Sequence, residues 1–226
     1  MSRPSPRDPT ALGPALEELP LFPLPGVVLM PGALLPLHVF EPRYRRMVRD
    51  ALDGHQAIGV VQLAEPARTA GGQPAIASVA GVGTIVDHTE LPNGRYHILL
   101  RGRARVHLDE LPFVPPYRRA KARVLEPTDE SVSSTATAAL IAVATGFAAL
   151  LRERDKSFDF RMPKLSDAGG IADHCAQYLL IDGRDRQLAL ETTSVATRVR
   201  QVTETLAMQQ LSLSGAGSNR KNTAKN

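Results

Sequence analysis

The chain has 226 residues, of which 43% are hydrophobic and 22% charged, proportions that suit a soluble globular protein of one large or two small domains. The net charge of +4 owes much to Arg220, Lys221 and Lys225 near the C-terminus, so it is weak evidence for a nucleic-acid partner. The apolar runs are broken by Pro, Gly or charge, which predicts no membrane span. Residues 1–14 have no apolar stretch of the secretory kind, so a cytoplasmic location is expected.

Composition and hydrophobic period divide the chain into four parts. Residues 1–18 are rich in proline and polar side chains, and residues 212–226 form a polar, basic tail, so both ends are expected to be disordered. Strand-like runs fill residues 19–126, and helical patterns fill residues 127–211. Strands followed by helices predict the α+β class, here a β-barrel-like lobe beside a helical bundle.

The β lobe opens with apolar runs separated by two Pro-Gly turns. Residues 19–24 and 34–40 are strand candidates, and residues 27–30 form a short apolar run between them. The turns lie at Pro25-Gly26 and Pro31-Gly32. This dipeptide favours a type II turn, because proline presets one dihedral angle and glycine supplies the positive φ.

A helix is predicted to begin at Pro42, which suits a first helical turn, and to end at Asp53-Gly54. Its apolar face has the spacing i, i+3, i+4, i+7 and consists of Tyr44, Met47, Val48 and Ala51. Glu41 lies at the positive end of the helix dipole, where a carboxylate is favoured, and can pair with Arg43 or Arg45. A structural role for Glu41 is therefore preferred over acid-base chemistry.

Phe40 and Tyr44 are predicted to join the β lobe to this helix. Phe40 ends an apolar strand candidate, and Tyr44 begins the apolar face of the helix. If Phe40 is fully buried, its replacement by alanine costs about 3–5 kcal/mol.

Asn93-Gly94 is the strongest hairpin signal, because both residues tolerate the positive φ of a type I′ turn. It separates predicted strands at residues 81–91 and 95–101, and further strands are predicted at residues 103–108 and 117–125. Apolar and polar residues alternate along the hairpin, which indicates a sheet with one buried face. The apolar set is Tyr96, Ile98, Leu100, Ala104, Val106 and Leu108.

From residue 129 the hydrophobic period changes to that of a helix. A first helix has its apolar seam at Ala136, Leu140, Val143, Phe147 and Leu150. Ser166 or Asp167 can cap a second helix, residues 185–190 form a short third one, and Thr192 can cap a fourth. The seam of the fourth helix is Val195, Val199, Val202 and Leu206.

Cys175 is the single cysteine, so it cannot form an internal disulfide, which fits a reducing compartment. With its neighbour His174 it invites a catalytic or metal-binding interpretation. Both residues lie in an apolar helical stretch, however, and a lone buried cysteine is typical of a protein core.

Two stretches resemble a known family. LPLFPLPGVVLMPGALLPLHVFEPRYRRMV, residues 19–48, closely resembles the opening of the Lon N-terminal domain, as it occurs in short bacterial proteins lacking the rest of Lon. GVGTIVDHTELPNGRYHILLRGRARVHL, residues 81–108, resembles the central hairpin of that family, and the resemblance covers about residues 19–210. The residues chosen to mark it are Pro31, Gly32, Phe40, Glu41, Arg43, Tyr44, Asn93 and Gly94.

The resemblance implies a PUA-like pseudo-β-barrel followed by a helical bundle. It also implies a role, because in full-length Lon this domain helps to recognise unfolded or damaged polypeptides and to pass them to the ATPase ring. The expected partners are therefore such polypeptides, together with a protease or a chaperone, in protein quality control. No cofactor is implied.

The sequence lacks the motifs of an ATPase or a protease. No Gly-Lys dipeptide occurs, so there is no phosphate-binding GxxxxGK[ST] loop. The Ser-Lys dyad of Lon belongs to a separate C-terminal domain, so no enzyme activity is expected. No metal site is expected either, because the histidines show neither HExxH nor paired spacing: they are His38, His55, His88, His97, His107 and His174.

A basic sheet face supports an alternative function, the binding of RNA, for which PUA-like folds are widely used. If the strands are regular, two sets of cations each share a face, namely Arg103 and Arg105, and Arg119, Lys121 and Arg123. Aromatic residues are only 4% of the chain, whereas proteins that bind single strands stack the bases on aromatic side chains. Asp87, Glu90 and Asp109 are also available to neutralise the cations.

Overall fold

A computed structural model describes residues 9–68, 73–128, 131–164 and 167–223. The chain forms two compact units, Met1–Glu126 and Pro127–Asn226. Within the described residues the first unit contains eight strands and one α-helix, and the second contains four α-helices, so the predicted α+β class is confirmed.

The first unit is built on a closed sheet. Its elements are β1 (Leu19–Pro23), β2 (Leu34–Val39), α1 (Pro42–Asp53), β3 (Ala57–Val61), β4 (Leu63–Arg68), β5 (Pro74–Ile76), β6 (Val79–Glu90), β7 (Tyr96–Glu110) and β8 (Arg119–Val124). The strand order is β2-β7-β6-β3-β1-β8, and β8 also pairs with β7, which closes the sheet into a barrel. Strands β1 and β3 are parallel, the other pairs are antiparallel, and β4 and β5 form a separate two-stranded sheet.

Closure depends on the length of β7, which has 15 residues. Its first half pairs with β2, its last residues pair with β8, and β6 runs along its other edge. Side chains at alternate positions of β7 are buried, as predicted for the apolar set from Tyr96 to Leu108. A register shift of β7 divides this set, and its second half, Ala104, Val106 and Leu108, lies in the core cluster with Leu19 and Leu21 of β1.

The N-terminal segment is folded, which corrects the expected disorder of residues 1–18 for the part that the structure describes. Pro9–Leu16 form a 3₁₀ helix. Leu12 and Ala15 are buried in one core cluster with Leu19 and Leu21 of β1. Burial of these apolar residues outweighs the polar, proline-rich composition from which disorder was inferred. Residues 1–8 lie outside the described part of the chain.

The apolar run between the two Pro-Gly turns is buried against strands β6 and β7. Val28, Leu29 and Met30 are almost completely buried. Their backbone approaches two glycines so closely that a Cβ atom on Gly81 would overlap the carbonyl group of Leu29, and one on Gly102 would overlap that of Met30. These glycines leave the space in which the run is packed.

Helix α1 agrees with the sequence in its start, its end and its buried face of Tyr44, Met47, Val48 and Ala51. The predicted burial of Phe40 is wrong, because its side chain is 59% exposed. Phe40 comes directly after β2 and continues its series of exposed alternate residues, Pro36 and His38, so it lies on the exposed face of the sheet. Of the two aromatic residues, only Tyr44 is buried, and its ring lies 4.5 Å from that of Phe22 of β1.

The hairpin lies where the sequence predicted it, but its turn differs. The N–H of Gly94 donates to the carbonyl of Leu91, which places Pro92 and Asn93 at the centre of the turn, and Gly94 alone has a positive φ, +70°. Pro92 explains the difference, because its fixed φ suits the second position of a type I turn and not of a type I′ turn.

The second unit is helical. Its helices are α2 (Ser134–Arg154), α3 (Ala168–Leu179), α4 (Gly183–Glu191) and α5 (Val195–Thr223). Asp167 caps α3, one of the two predicted caps, whereas Ser194 and not Thr192 caps α5, accepting the N–H of Thr197. Thr192 instead donates its hydroxyl to Leu188 at the end of α4.

Helix α5 continues to Thr223, which corrects the disorder expected from residue 212 for the described part of the tail. The serine hydroxyls of this region explain part of the difference, because Ser212 and Ser214 donate to the carbonyls of Met208 and Gln210 one turn earlier. Serine side chains can compete with the backbone hydrogen bonds of a helix, but these two bond to carbonyls of α5 itself.

The helical bundle has a charged pair in its interior. Asp173 of α3 lies 2.9 Å from the guanidinium of Arg198 of α5, and both side chains are almost completely buried. Arg198 also donates to the carbonyls of Thr192 and Thr193, so part of the guanidinium charge is satisfied by the α4–α5 connection.

Helix α2 is long and apolar enough to cross a membrane by length and composition alone, which corrects the expectation that no apolar stretch approaches that size. A core helix of a soluble protein passes the same test. In α2 four residues of one face are buried, namely Leu140, Ala144, Phe147 and Ala148. The predicted seam agrees at Leu140 and Phe147.

Candidate functional site

A groove of about 270 Å³ opens on the surface of the barrel unit. The turn after β1, the start of α1 and the first residues of β4 and β5 contribute to its walls, together with residues 111–117, which we call the 111–117 loop. Most of the lining is apolar and includes Leu24, Tyr44, Leu63, Pro74 and Phe113. The groove can therefore accept apolar side chains of a ligand.

The 111–117 loop stands on a fixed base. The Nε and Nη2 atoms of Arg118 donate to the two carboxylate oxygens of Glu110 at 2.6 Å each, and Nη1 donates to the carbonyl of Pro74 at 2.6 Å. Arg118 is buried, and bidentate pairing of this kind is stronger than a single hydrogen bond. The N–H of Leu111 also donates to the carbonyl of Arg119 at 3.0 Å, so both ends of the loop are held together.

The loop presents apolar side chains to solvent from this base. Phe113 is 45% exposed and Val114 is 54% exposed, and Phe113 lines the groove directly. Exposed apolar residues beside a concave apolar surface are typical of an interaction site.

Tyr44 forms part of the groove wall, and its phenol is held neutral. Burial raises the pKa of Tyr44. The guanidinium of Arg43 lies 4.5 Å above the Tyr44 ring and pairs with the carboxylate of Glu41 at 2.8 Å. Of the two predicted partners of Glu41, the structure thus selects Arg43. The charges at this rim neutralise each other.

Tyr117, at the other end of the loop, is also neutral at physiological pH. Its hydroxyl donates to Oδ2 of Asp50 at 2.9 Å, and burial together with this bond raises its pKa to about 12. Asp50 also pairs with Arg46 at 2.8 Å. The polar groups around the groove are engaged with one another, and the surface left for a ligand is chiefly apolar.

Three of the eight residues that marked the family resemblance, Glu41, Arg43 and Tyr44, line the groove. Pro31 and Gly32 form a turn before β2, and Asn93 and Gly94 form the β6–β7 turn, where Oδ1 of Asn93 accepts the N–H of Arg95. These four residues therefore shape turns and do not line the groove. Sequence reasoning missed the 111–117 loop. Its signal is the run LPFVPPY, in which prolines separate large apolar residues that have no strand or helix period.

The five cations of the alternative RNA-binding face do not form a free surface. Arg105 is buried, contrary to the prediction, because it lies opposite Gly81 in the strand register, on the face of the sheet against which residues 28–30 pack. Arg103 lies at a register shift of β7 and donates to the hydroxyl of Thr84 at 2.8 Å. Only Arg119, Lys121 and Arg123 follow one another on β8 as expected.

The acidic residues that pair with this strand are not those that the sequence suggested. Arg119 bonds Glu18 at 2.7 Å, and Lys121 bonds Glu17 at 2.9 Å. Both glutamates follow the 3₁₀ helix, so folding of the N-terminal segment brings them to β8. Asp109, the one expected partner in this region, lies opposite Lys121 in the strand register.

Cys175 is a core residue, and its neighbour His174 is half-buried. Cys175 is completely buried, and burial raises its pKa to about 12, so the thiolate nucleophile is not available at neutral pH. His174 packs between Phe160 and Tyr178, and its Nε2 lies 3.0 Å from the carbonyl of Arg161. Burial lowers the pKa of His174, which keeps the ring neutral.

A barrel with an apolar groove, rigid loop and internally paired charges belongs to the class of binding domains. Residues 18–208 match the family model of the ATP-dependent protease La (LON) substrate-binding domain, so this chain belongs to that family and the resemblance seen in the sequence is confirmed.

Similar proteins agree with this assignment. The Lon protease of Roseiflexus castenholzii is 31% identical over 191 residues, which are 82% of this chain and 23% of that protein. The Lon protease of Escherichia coli K12 is 27% identical over 184 residues, 80% of this chain and 24% of that protein. The chain thus spans about a quarter of the length of these relatives.

Solved structures show the same fold. The Lon N-terminal domain protein from Xanthomonas campestris has 25% sequence identity and a TM-score of 0.59, and the alignment covers 82% of this chain and 96% of that one. The N-terminal domain of the Mycobacterium avium complex Lon protease has 16% identity, a TM-score of 0.61 and coverages of 84% and 98%.

Proposed function

We propose that this chain is a non-catalytic module that binds unfolded or damaged polypeptides through the groove and the 111–117 loop. The observation that carries the proposal is the exposure of two apolar side chains on the 111–117 loop: Phe113, which lines the groove, and its neighbour Val114. Arg118 and Glu110 fix the base of this loop. The family's description as a substrate-binding domain of an ATP-dependent protease supports it. The module acts in cytoplasmic protein quality control, with a protease or a chaperone as partner.

The size and lining of the groove favour side chains of a polypeptide over a small-molecule ligand. Its volume, about 270 Å³, lies below the range of about 300–1,000 Å³ that is usual for small-molecule pockets. It accommodates one or two apolar side chains. Folded proteins bury most such side chains, whereas unfolded chains expose them. An apolar groove therefore binds unfolded chains in preference to folded proteins and does not require a particular amino-acid sequence.

Pairing of the ligand with an edge strand is a weaker alternative than binding in the groove. Strand β2 pairs with β7 along one side only among the described strands, so its other side is a candidate for adding a peptide strand. Pro36 lies in the middle of β2 and has no N–H to donate. Because this proline removes a hydrogen-bond donor, a peptide strand pairs poorly with β2, and the apolar groove remains the better site.

Affinity for an unfolded protein tests the proposal. The reporter is a reduced, unfolded protein carrying a fluorescent label, titrated with the full chain. The groove variant combines Phe113→Ser and Val114→Ser, and the matched control combines Phe40→Ser and Val86→Ser, which change side chains of the same types and similar exposure that do not line the groove. We expect the groove variant to bind about 10 to 100 times more weakly, the loss expected when two interface side chains contribute about 0.7–1.4 kcal/mol each, and the control to be unchanged. Equal affinities for the two variants would refute the assignment of the groove.

A further inference from the structure

Two histidines that are far apart in the sequence meet on the outer face of the barrel. His38 of β2 lies directly opposite His97 of β7 in the strand register. The ring centroids are 4.9 Å apart, and both side chains are exposed. The separation of 59 positions explains why a search for spaced ligands in the sequence does not find the pair.

The type of strand pairing brings these side chains close together. The N–H of Gly102 donates to the carbonyl of Ala33, and hydrogen-bonded pairs recur at every second position from there. Pro36, which has no N–H, and His38 therefore fall at the intervening positions, where strands approach each other more closely and cross-strand side chains are nearest. The pair is thus a feature of the backbone register and not a chance contact of flexible side chains.

We propose that His38 and His97 form a two-histidine chelate for a divalent transition-metal ion such as Cu²⁺, Ni²⁺ or Zn²⁺. Neutral imidazole nitrogens are suitable ligands for these ions, and water completes the coordination. The general order of affinities predicts that Cu²⁺ binds more tightly than Ni²⁺ or Zn²⁺, and that Mg²⁺, which prefers oxygen ligands, does not bind. The proposal does not depend on polypeptide binding.

The surroundings leave the site open. Thr89 of β6 lies opposite His97 on its other side, and the ring of Phe40 lies 5.9 Å from that of His38. Both neighbours are exposed, so water and an ion reach the imidazoles. Because two paired strands hold the ligands, little order is lost when the ion binds.

His88 supplies a matched control. It is exposed and lies on β6, one residue before Thr89, so its side chain leaves the opposite face of the sheet from His97. A metal ion held by any surface histidine would respond to His88→Gln as much as to the proposed ligands. A chelate responds only to His38→Gln and His97→Gln.

Calorimetric titration of the full, tag-free chain with CuCl₂, NiCl₂ and MgCl₂ at neutral pH tests the proposal. We expect a tightest site that holds one Cu²⁺ per chain. Its affinity should fall by about tenfold or more in His38→Gln and in His97→Gln, since either change removes the effective concentration supplied by the second ligand. The double variant should be little weaker than either single one.

Two further measurements strengthen the test. His88→Gln should leave the affinity unchanged, and acidification should weaken binding, because a protonated imidazole cannot be a ligand. The electron paramagnetic resonance spectrum of the Cu²⁺ complex should show coupling to two nitrogen ligands that is lost in the single variants. Unchanged affinity in both single variants, or an equal loss in His88→Gln, would overturn the proposal.

Discussion

Replacing Gly81 by alanine tests how the apolar run at residues 28–30 packs against strand β6. A Cβ atom at this position would overlap the carbonyl oxygen of Leu29 and lie 2.8 Å from its carbonyl carbon, closer than real Cβ atoms approach other atoms. Both contacts are with backbone, so no side-chain rotation relieves them. The strand or the buried run must move, and overpacking of this kind costs about 1–3 kcal/mol, here at the upper end.

Gly13 provides the matched control, because a Cβ atom there meets no atom within 4 Å. Thermal denaturation midpoints, followed by circular dichroism, compare the two variants. For a chain of this size a loss of about 3 kcal/mol lowers Tm by roughly 6–12 °C, whereas Gly13→Ala should change stability by about 0.5 kcal/mol or less. Equal midpoints for Gly81→Ala and Gly13→Ala would show that residues 28–30 do not pack against β6 as the structure has them.

Three other predictions concern stability. Tyr44→Ala should lower the free energy of unfolding by about 3–5 kcal/mol because the ring is buried, and Phe40→Ala by about 1 kcal/mol or less because its ring is exposed. A larger effect of Phe40→Ala than of Tyr44→Ala in urea denaturation would instead support the burial of Phe40. Asp173→Ala should cost about 3–5 kcal/mol, since it leaves the buried charge of Arg198 without its partner, and a thermal midpoint equal to that of the unmodified chain would contradict this. Burial lowers the pKa of His174 from its usual 6.5, so the unfolded state binds more protons than the folded state. The neutral His174 ring therefore stabilises the fold fully above about pH 6.5, and this stabilisation is lost as the pH falls through the lowered pKa. Denaturation midpoints between neutral and acidic pH should therefore fall less steeply in His174→Gln, and identical pH profiles would argue against the buried, neutral ring.

Local patterns in the sequence predicted the features that depend on local periodicity. The face of α1 from Tyr44 to Ala51 follows from the spacing of apolar residues around one helix, and the buried side of β7 follows from alternation along one strand. The predicted burial of Phe40 was wrong because hydrophobicity at the end of a strand does not determine which face of the sheet a side chain occupies. Its exposure follows from the register of β2 with His38, which sequence alone does not give.

The groove depends on contacts between distant parts of the chain. Leu24, Tyr44, Leu63, Pro74 and Phe113 come from different elements and meet only when β8 pairs with β7 and the barrel closes. Contacts between distant parts of the chain also explain why the basic face was misjudged. Arg105 looked exposed by alternation along one strand, but residues 28–30 pack on its face of the sheet, beside Gly81.

The effect of salt on binding tests most directly whether the chain holds polypeptides by apolar contact. The affinities for a reduced, unfolded protein and for a mixed-sequence RNA are measured side by side from about 50 to about 300 mM salt, the range in which counterion release is evident. Binding through the groove should be detectable and nearly independent of salt, with little binding of RNA. It should also survive replacement of Arg103, Arg105 and Lys121 by alanine, in protein shown to remain folded. Strong RNA binding whose log affinity falls with log salt at a slope near −3.5, about −0.7 for each of five phosphate contacts, and which the triple change abolishes, would contradict the account.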